Sequence, residues 1–101
     1  MDSQRQLRFG ELVRSIISDC LLKEDFYDDM IRSSTITVSF VRMSKDLRLA
    51  SVYFMPLGGK NQNIILKNLN EKKYIFQKYM SKAKISSKFT PKLSFYIDDS
   101  F

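Results

Sequence analysis

A chain of 101 residues has room for one domain, and 44% hydrophobic residues is the content of a folded rather than a disordered sequence. The chain has no histidine and one cysteine, Cys20, which excludes histidine-based catalysis, intrachain disulfides and CxxC metal sites. The 17 basic and 11 acidic residues give a net charge of +6, so an acidic polymer is the first class of partner to consider.

The chain carries no readable targeting segment. Residues 1–10 lack the apolar region of a secretory signal, and no apolar run approaches the length of a membrane span. We therefore predict a cytoplasmic protein, in a reducing compartment where a lone cysteine is an ordinary small hydrophobe. We further expect a monomer that is not an enzyme, needs no metal or cofactor, and takes no membrane or small-molecule partner.

The first predicted element is an amphipathic helix over residues 3–24. Ser3 followed by Gln6 matches a capping box, in which the two side chains satisfy free backbone amides at the helix start. Gly10 costs about 1 kcal/mol inside a helix, a penalty that close packing would explain. The apolar stripe of this helix consists of Phe9, Leu12, Val13, Ile16, Ile17, Cys20 and Leu21.

A polar connection over residues 24–34 contains Glu24, Asp25, Asp28 and Asp29. Neighbouring carboxylates suggest acid–base chemistry or a hard cation, but the segment lacks the alternating ligand positions and the glycine of a calcium loop. We interpret it as a solvated loop.

Two strands of an antiparallel hairpin follow, over residues 35–43 and 47–55, and each alternates apolar with polar residues. Residues 44–46 supply the turn chemistry, and Pro56 ends the ladder because it lacks a donor. The core-facing positions are predicted to be Ile36, Val38, Phe40, Ala50, Val52 and Phe54.

Gly58 and Gly59 precede two predicted helices, residues 61–69 and 71–84, and a last strand, residues 92–97. Their apolar positions are Ile64, Ile65, Leu69, Ile75, Phe76, Tyr79, Met80, Ala83, Leu93, Phe95 and Ile97. The order α-β-β-α-α-β predicts an α+β fold, with a three-stranded mixed sheet, the helices on one face and the other face open to solvent. Because a helical crossover leads to the last strand, we expect that strand to lie parallel to the first.

Positive charge collects in residues 60–92, which hold nine lysines and one acid, Glu71, so that the segment's net charge of +8 exceeds that of the whole chain. A lysine-rich helix face is often only a solubility device, but so little interspersed acid favours a surface that faces phosphates. A second basic cluster flanks the hairpin turn and consists of Arg42, Lys45 and Arg48. Candidates for stacking on unpaired bases, or alternatively for ordinary packing, are Tyr53, Tyr74 and Tyr79.

Two stretches resemble motifs of the ribosome-binding factor A family. Residues 41–53, VRMSKDLRLASVY, match its V-x-x-S-x-D-L-x-x-A-x-V-Y stretch, and residues 91–100, PKLSFYIDDS, match its P-x-L-x-F-x-x-D-x-S ending. Arg8 matches a family arginine, and the predicted order of elements agrees with that of the family.

The resemblance implies a single KH type II-like domain over residues 1–101. It implies binding to the small ribosomal subunit and its rRNA during late maturation and rRNA processing, a role that in bacteria matters most in the cold. The residues predicted to contact RNA are Lys67, Lys72, Lys73, Lys78 and Lys82 of the helix pair, Arg42, Lys45 and Arg48 of the hairpin, and Arg8. An alternative is a protein-interaction module of the same fold that uses the open sheet face or an edge strand without binding RNA directly.

The sequence departs from the family pattern between the two later helices. Members usually carry Ala-x-Gly there, whereas the matching residues 73–75 contain no glycine to permit an unusual backbone. We therefore expect Ile75 to be helical and directed into the core, with an earlier break between Asn68 and Asn70, where helix propensity is low. The basic tail that many members carry after the last strand is expected to be absent or removed.

Overall fold

The computed structural model describes residues 2–27, 31, 36–59, 61–83 and 90–99 of the chain. Its elements in chain order are α1 (Gln4–Lys23), β1 (Ile36–Met43), β2 (Leu49–Pro56), α2 (Gln62–Glu71), α3 (Lys73–Lys82) and β3 (Lys92–Ile97). A 3-10 turn at Leu57–Gly59, in which Gly58 has a positive φ of 78°, separates β2 from α2. The predicted α+β order is confirmed, while Asp28 and Asp29 of the acidic connection lie outside the described residues. In the described part of the chain, no helix is long and apolar enough to cross a membrane.

The sheet has the strand order β1-β2-β3, with β2 in the centre. β1 pairs with β2 in an antiparallel arrangement, and β3 pairs with β2 in a parallel one. The last strand is therefore antiparallel to the first, and the prediction that those two would be parallel is wrong. The physical reason is that the crossover through α2 and α3 returns the chain to the end at which β2 began, so β3 repeats the direction of β2.

The core lies between the sheet and the helices, which cover the same face of the sheet. Phe54 on the central strand and Cys20 on α1 are fully buried there. Burial raises the pKa of the Cys20 thiol to about 12, so this thiol stays protonated at neutral pH and acts as a core side chain. The predicted apolar positions that are confirmed as buried are Phe9, Val13, Ile17, Cys20, Leu21, Ile36, Val38, Ala50, Val52, Phe54, Ile65, Leu69, Phe76, Met80, Leu93 and Phe95.

Phe40 lies on the opposite face of the sheet from its predicted position. The pairing register between β1 and β2 shifts between Val38 and Phe40, which marks a β-bulge. An extra residue on one strand reverses the alternation beyond it, so Phe40 is 41% exposed while Met43 is buried. Residues 35–43 contain no glycine or proline to indicate this bulge in the sequence.

The apolar stripes of α1 and α2 are narrower than their sequence patterns predict. Leu12 on α1 is 40% exposed, and Ile64 on α2 is 52% exposed. Each directly precedes a buried residue, Val13 or Ile65, and successive residues of a helix point about 100° apart. Leu12 and Ile64 therefore fall on the rim of their stripes. The other predicted positions outside the fully buried set are Ile16, Ile75, Tyr79 and Ile97, which are partly buried, and Ala83, which is exposed.

Gly10 brings α1 into direct contact with the end of β1. A β-carbon at this position would lie 2.5 Å from the carbonyl oxygen of Val41, far inside normal contact distance. Gln6, one turn earlier, donates a hydrogen bond from its Nε2 to the Met43 carbonyl oxygen at 3.0 Å. The same face of α1 therefore covers the outer edge of β1 at its last residues.

We expect Gly10→Ala to destabilise the protein by about 1–3 kcal/mol, because the added methyl group meets backbone that cannot rotate away. An ordinary glycine-to-alanine change inside a helix would instead stabilise it by up to about 1 kcal/mol. The free energy of unfolding in urea measures the difference, and Ser15→Ala, at an exposed position of the same helix, is the control. A Gly10→Ala variant as stable as the parent would contradict the close approach of α1 to Val41.

Candidate nucleic-acid interface

The helices α2 and α3 are separated by a break at Lys72, where φ is −98° and ψ is 9°. The predicted break between Asn68 and Asn70 is therefore too early, and both asparagines are helical. Asn70 remains in the helix because its Oδ1 accepts a hydrogen bond from the Phe95 N–H at 3.2 Å, a tertiary contact that outweighs its weak helix propensity. Ile75 is helical and partly buried against the core, as predicted.

The five predicted lysines of α2, α3 and the break between them form the helix-pair surface, which consists of Lys67, Lys72, Lys73, Lys78 and Lys82. Four of them are exposed, and Lys72 is half-buried. Lys78 and Lys82 lie one turn apart on the side of α3 that faces away from the core. On α2, Lys67 forms an exposed ion pair with Glu71 at 4.0 Å. The structure therefore places these side chains on neighbouring turns of one helix pair.

The start of α3 concentrates positive charge. Lys72 and Lys73 carry ammonium groups. The backbone there is bonded within the helix pair, with the Lys72 N–H donating to the Asn68 carbonyl oxygen at 2.9 Å and the Ile75 N–H to that of Lys72 at 3.0 Å. The first turn of α3 contains no acidic residue to offset the ammonium groups. Cations are unfavourable at the start of α3, but Lys72 is also the C-cap of α2, where cations are favourable, so a bound anion is one of two reasons for a lysine there. The remaining lysines of the basic segment, Lys60, Lys84 and Lys88, lie outside the described residues.

The second predicted group, which we call the hairpin cations, consists of Arg8, Arg42, Lys45 and Arg48. Lys45 is exposed within the turn, and Arg42 and Arg48 flank it. Arg8 is exposed near the same end of the molecule, because Gln6 on its helix contacts the end of β1. The structure thus divides the predicted contacts into two groups, the helix-pair surface beside β3 and the hairpin cations at the turn.

The hairpin turn is held by Asp46, whose Oδ1 accepts hydrogen bonds from the Ser44 hydroxyl at 2.7 Å and from the Arg48 N–H at 3.1 Å. The bond from Ser44 is the main reason that the pKa of the Asp46 carboxyl is lowered. Its stabilising effect is present above the usual carboxyl pKa and is lost as the pH falls through the lowered value. Arg42 and Arg48 form exposed ion pairs with Asp2 and Asp46 at 3.4 and 3.9 Å. Such pairs are weak, so the Arg42 guanidinium can exchange its pair with Asp2 for a phosphate.

The three candidate stacking tyrosines occupy different environments. Tyr53 lies on the open face of the sheet, and Tyr74 is exposed on α3 beside the helix-pair surface. The Tyr79 hydroxyl instead donates a hydrogen bond to the Asp19 carboxylate and joins α3 to α1. This bond raises the pKa of Tyr79 to about 12 and, together with the Lys23 ammonium, lowers the pKa of Asp19. Tyr79 is therefore engaged in packing between helices.

Two amide side chains with no part in the predicted site attach the helix pair to the sheet. Gln77 accepts a hydrogen bond from the Leu93 N–H at 2.7 Å and donates one to the Pro91 carbonyl oxygen at 2.9 Å. Asn70 accepts from the Phe95 N–H at 3.2 Å. These bonds occupy the outward N–H groups of Leu93 and Phe95 on β3 and orient the helix-pair surface. An amide at a helical position leaves no hydropathy signal, so only the tertiary structure reveals this role.

The chemistry that the two cationic groups offer is that of phosphate contacts. Lysine supplies a flexible point charge, and arginine supplies a planar fork that matches phosphate oxygens. Across the described residues, no group of three or more cysteine, aspartate or glutamate side chains is arranged to hold a metal ion.

Sequence comparison finds relatives that share one name. The family model described as "Ribosome-binding factor A" matches residues 5–101. The ribosome-binding factor A of Pelagibacter ubique is 41% identical, over 98% of this chain and 80% of its own. That of Ruegeria sp. (strain TM1040) is 43% identical, over 98% of this chain and 75% of its own.

Two solved structures share the fold. One, a solution NMR structure of a Thermotoga maritima protein provisionally described as a ribosome binding factor A, has a TM-score of 0.81 and 24% identity, covering 100% of this chain and 93% of its own. The other, a crystal structure of ribosome-binding factor A from Thermus thermophilus, has a TM-score of 0.76 and 17% identity, covering 91% of this chain and 94% of its own. The structural matches show the fold and the sequence matches show the lineage: this chain belongs to the ribosome-binding factor A family.

Proposed function

We propose that this protein is a ribosome assembly factor that binds the small ribosomal subunit and its rRNA during late maturation and rRNA processing. Family membership supports the proposal, as do the name that the relatives carry and the two cationic groups of the structure. We further propose that the fold is of the KH type II kind, with the helix pair as its main RNA-facing element.

The observation that carries the proposal is the concentration of lysines around the break at Lys72. Lys72 and Lys73 lie at the break between α2 and α3, and Lys78 and Lys82 continue the charge along α3. Clustered cations of this kind bind a polyanion by releasing its counterions. Contacts to phosphates fix the position and orientation of the protein and carry little sequence information.

The anchoring of the helix pair suits a factor that must hold folded rRNA in one orientation. Gln77 and Asn70 attach α3 and α2 to the edge of β3, so the lysines lie on anchored helices rather than on a loop. The hairpin cations add a second contact at the turn. An RNA that contacts both the helix-pair surface and the hairpin cations is bound in a single orientation.

The double substitution Lys72→Ala/Lys78→Ala tests this function. Sedimentation with purified small subunits and with an unrelated structured RNA, each over a range of salt concentrations, gives the affinity and its salt dependence. We expect weaker binding to both, and a slope of log affinity against log salt that is shallower by about 0.7–0.9 for each phosphate interaction removed. Arg5→Ala/Lys23→Ala removes two exposed charges from α1 and matches the change in net charge.

The lysine variant must differ from its control for the proposal to stand. If Lys72→Ala/Lys78→Ala keeps both the parent affinity and the parent slope, the helix-pair surface is not where RNA binds. Equal losses in the two double variants would show that net charge, rather than this surface, governs binding.

The alternative is a protein-interaction module of KH-like fold that does not bind RNA directly. Addition of a partner strand at β3 is disfavoured, because Gln77 and Asn70 already accept from the outward N–H groups of Leu93 and Phe95. Binding to small subunits that persists at high salt would support this alternative, since apolar docking is insensitive to charge screening.

A further inference from the structure

Three aromatic rings form a column across the open face of the sheet. Phe40 of β1 stacks on Tyr53 of β2, with ring centroids 4.4 Å apart and planes inclined by 13°. Tyr53 stacks in turn on Tyr96 of β3, at 5.4 Å and 27°. The strand register produces the column, because Phe40 pairs with Tyr53 and Tyr53 pairs with Tyr96.

The two ends of the aromatic column are open. Rings that are this close and nearly parallel overlap face to face, so Tyr53 is enclosed by its two neighbours. β1 and β3 are the outer strands of the sheet, and within the described residues no further strand lies beyond them. Phe40 and Tyr96 are 41% and 45% exposed, so among the described residues the outer faces of these two rings are accessible.

Cationic side chains lie on the same face of the sheet, farther along its strands from the column. Lys92 is exposed on the same face of β3, four residues before Tyr96, which is about 13 Å along a strand. Lys92 lines a shallow cleft of about 420 Å³ together with its register partner Leu49 and with Arg48. The cleft also contains Asp46, whose carboxylate is engaged by the turn and by Arg48.

We propose that the open face is a second RNA site, which binds an unpaired segment. A nucleobase extends the aromatic column on the outer face of Tyr96, and phosphates farther along the same segment contact Lys92 and Arg48, about 13 Å away along the strand. This inference rests on the proposed function, because it takes RNA as the partner and adds a site for bases to the phosphate contacts of the helix pair.

The stacking geometry favours unpaired RNA over other occupants. Cross-strand packing explains why the rings touch one another, and the same face of the sheet carries cations farther along its strands. Each base has a flat face that can stack on an aromatic ring, and cations track the phosphates between bases. A continuous duplex encloses its base faces, so it cannot extend the column.

Removing the central ring and the Tyr96 ring of the column tests the site. Tyr53→Leu/Tyr96→Leu replaces two rings with apolar side chains, and its affinity is measured by fluorescence anisotropy for a labelled oligouridine of about ten nucleotides and for a fully paired RNA duplex. We expect the oligouridine affinity to fall about 10-fold, the loss of one base stack, while the duplex affinity is unchanged. Tyr53→Phe/Tyr96→Phe, which keeps the rings, should restore oligouridine binding.

A second variant keeps the column intact, so that the test does not depend on how well the leucine variant folds. Lys92→Glu should lower the oligouridine affinity and flatten its salt dependence, because it removes a phosphate contact. Unchanged oligouridine affinity in both variants would overturn the inference. Equal losses for oligouridine and duplex in the leucine variant would also overturn it.

Other outcomes separate this inference from the proposed function. If the leucine variant binds small subunits more weakly but keeps its oligouridine affinity, the open face binds protein and the inference is wrong. If Lys72→Ala/Lys78→Ala binds RNA like the parent while the leucine variant loses oligouridine selectively, the helix-pair surface fails and the open-face site stands.

Discussion

Phe54→Ala is expected to destabilise the protein by about 3–5 kcal/mol. Phe54 lies on the central strand, is 0% exposed, and packs edge-on against Phe95 with ring centroids 6.5 Å apart. Its removal takes away apolar contacts and leaves a cavity that the surrounding sheet and helices close only in part. Because a typical domain is stable by about 5–15 kcal/mol, the midpoint of urea denaturation should fall markedly at an unchanged slope.

Phe40→Ala is the matched control, since it removes the same side chain from the same sheet. Phe40 lies on the open face, where its ring contacts Tyr53. Its removal should therefore lower the free energy of unfolding by only about 0.5–1.5 kcal/mol. The difference between the two variants in free energy of unfolding shows that the bulge after Val38 places Phe40 outside the core. Equal losses would place Phe40 in the core and contradict the bulge.

Asn70→Ala/Gln77→Ala is expected to destabilise the protein by about 2–4 kcal/mol, at about 0.5–1.5 kcal/mol for each hydrogen bond removed. The substitution removes the acceptors of the Leu93 and Phe95 N–H groups and the donor to Pro91. It also frees the outer edge of β3, so we expect self-association at high protein concentration. Urea denaturation and hydrogen exchange at Leu93 and Phe95 measure the loss of stability, and sedimentation velocity measures the self-association.

The matched control is Gln62→Ala/Asn63→Ala, which removes the same two residue types from exposed positions at the start of α2. This variant should remain within about 0.5 kcal/mol of the parent, as surface substitutions usually do. If both double variants lose the same stability, the amides of Asn70 and Gln77 are not what secures the helix pair.

Local patterns in the sequence determined most elements of this protein. The capping box of Ser3 and Gln6 is formed at the start of α1, with both reciprocal hydrogen bonds present. The alternation in residues 92–97 predicts β3 with the bounds that the structure shows, Lys92–Ile97. Both signals act over a few residues, through backbone hydrogen bonding and side-chain periodicity, so neighbouring residues alone are enough to predict them.

The sequence predicted which charged residues belong to the candidate site, but only part of their spatial arrangement. Counting lysines identifies residues 60–92 as basic, and the helical spacing of Lys78 and Lys82 puts them on one exposed face. The grouping of Arg8 with the hairpin, by contrast, depends on α1 crossing the end of β1. Net charge is a property of composition, whereas proximity is a property of packing.

Tertiary structure decided the features that depend on contacts between distant residues. The aromatic column requires the bulge before Phe40, and the break at Lys72 lies after Asn70 because that side chain bonds Phe95, 25 residues away. The direction of β3 likewise follows from where the crossover returns to β2. Local propensities at these positions differ by about 1 kcal/mol or less, and one tertiary hydrogen bond or one packed ring is enough to outweigh them.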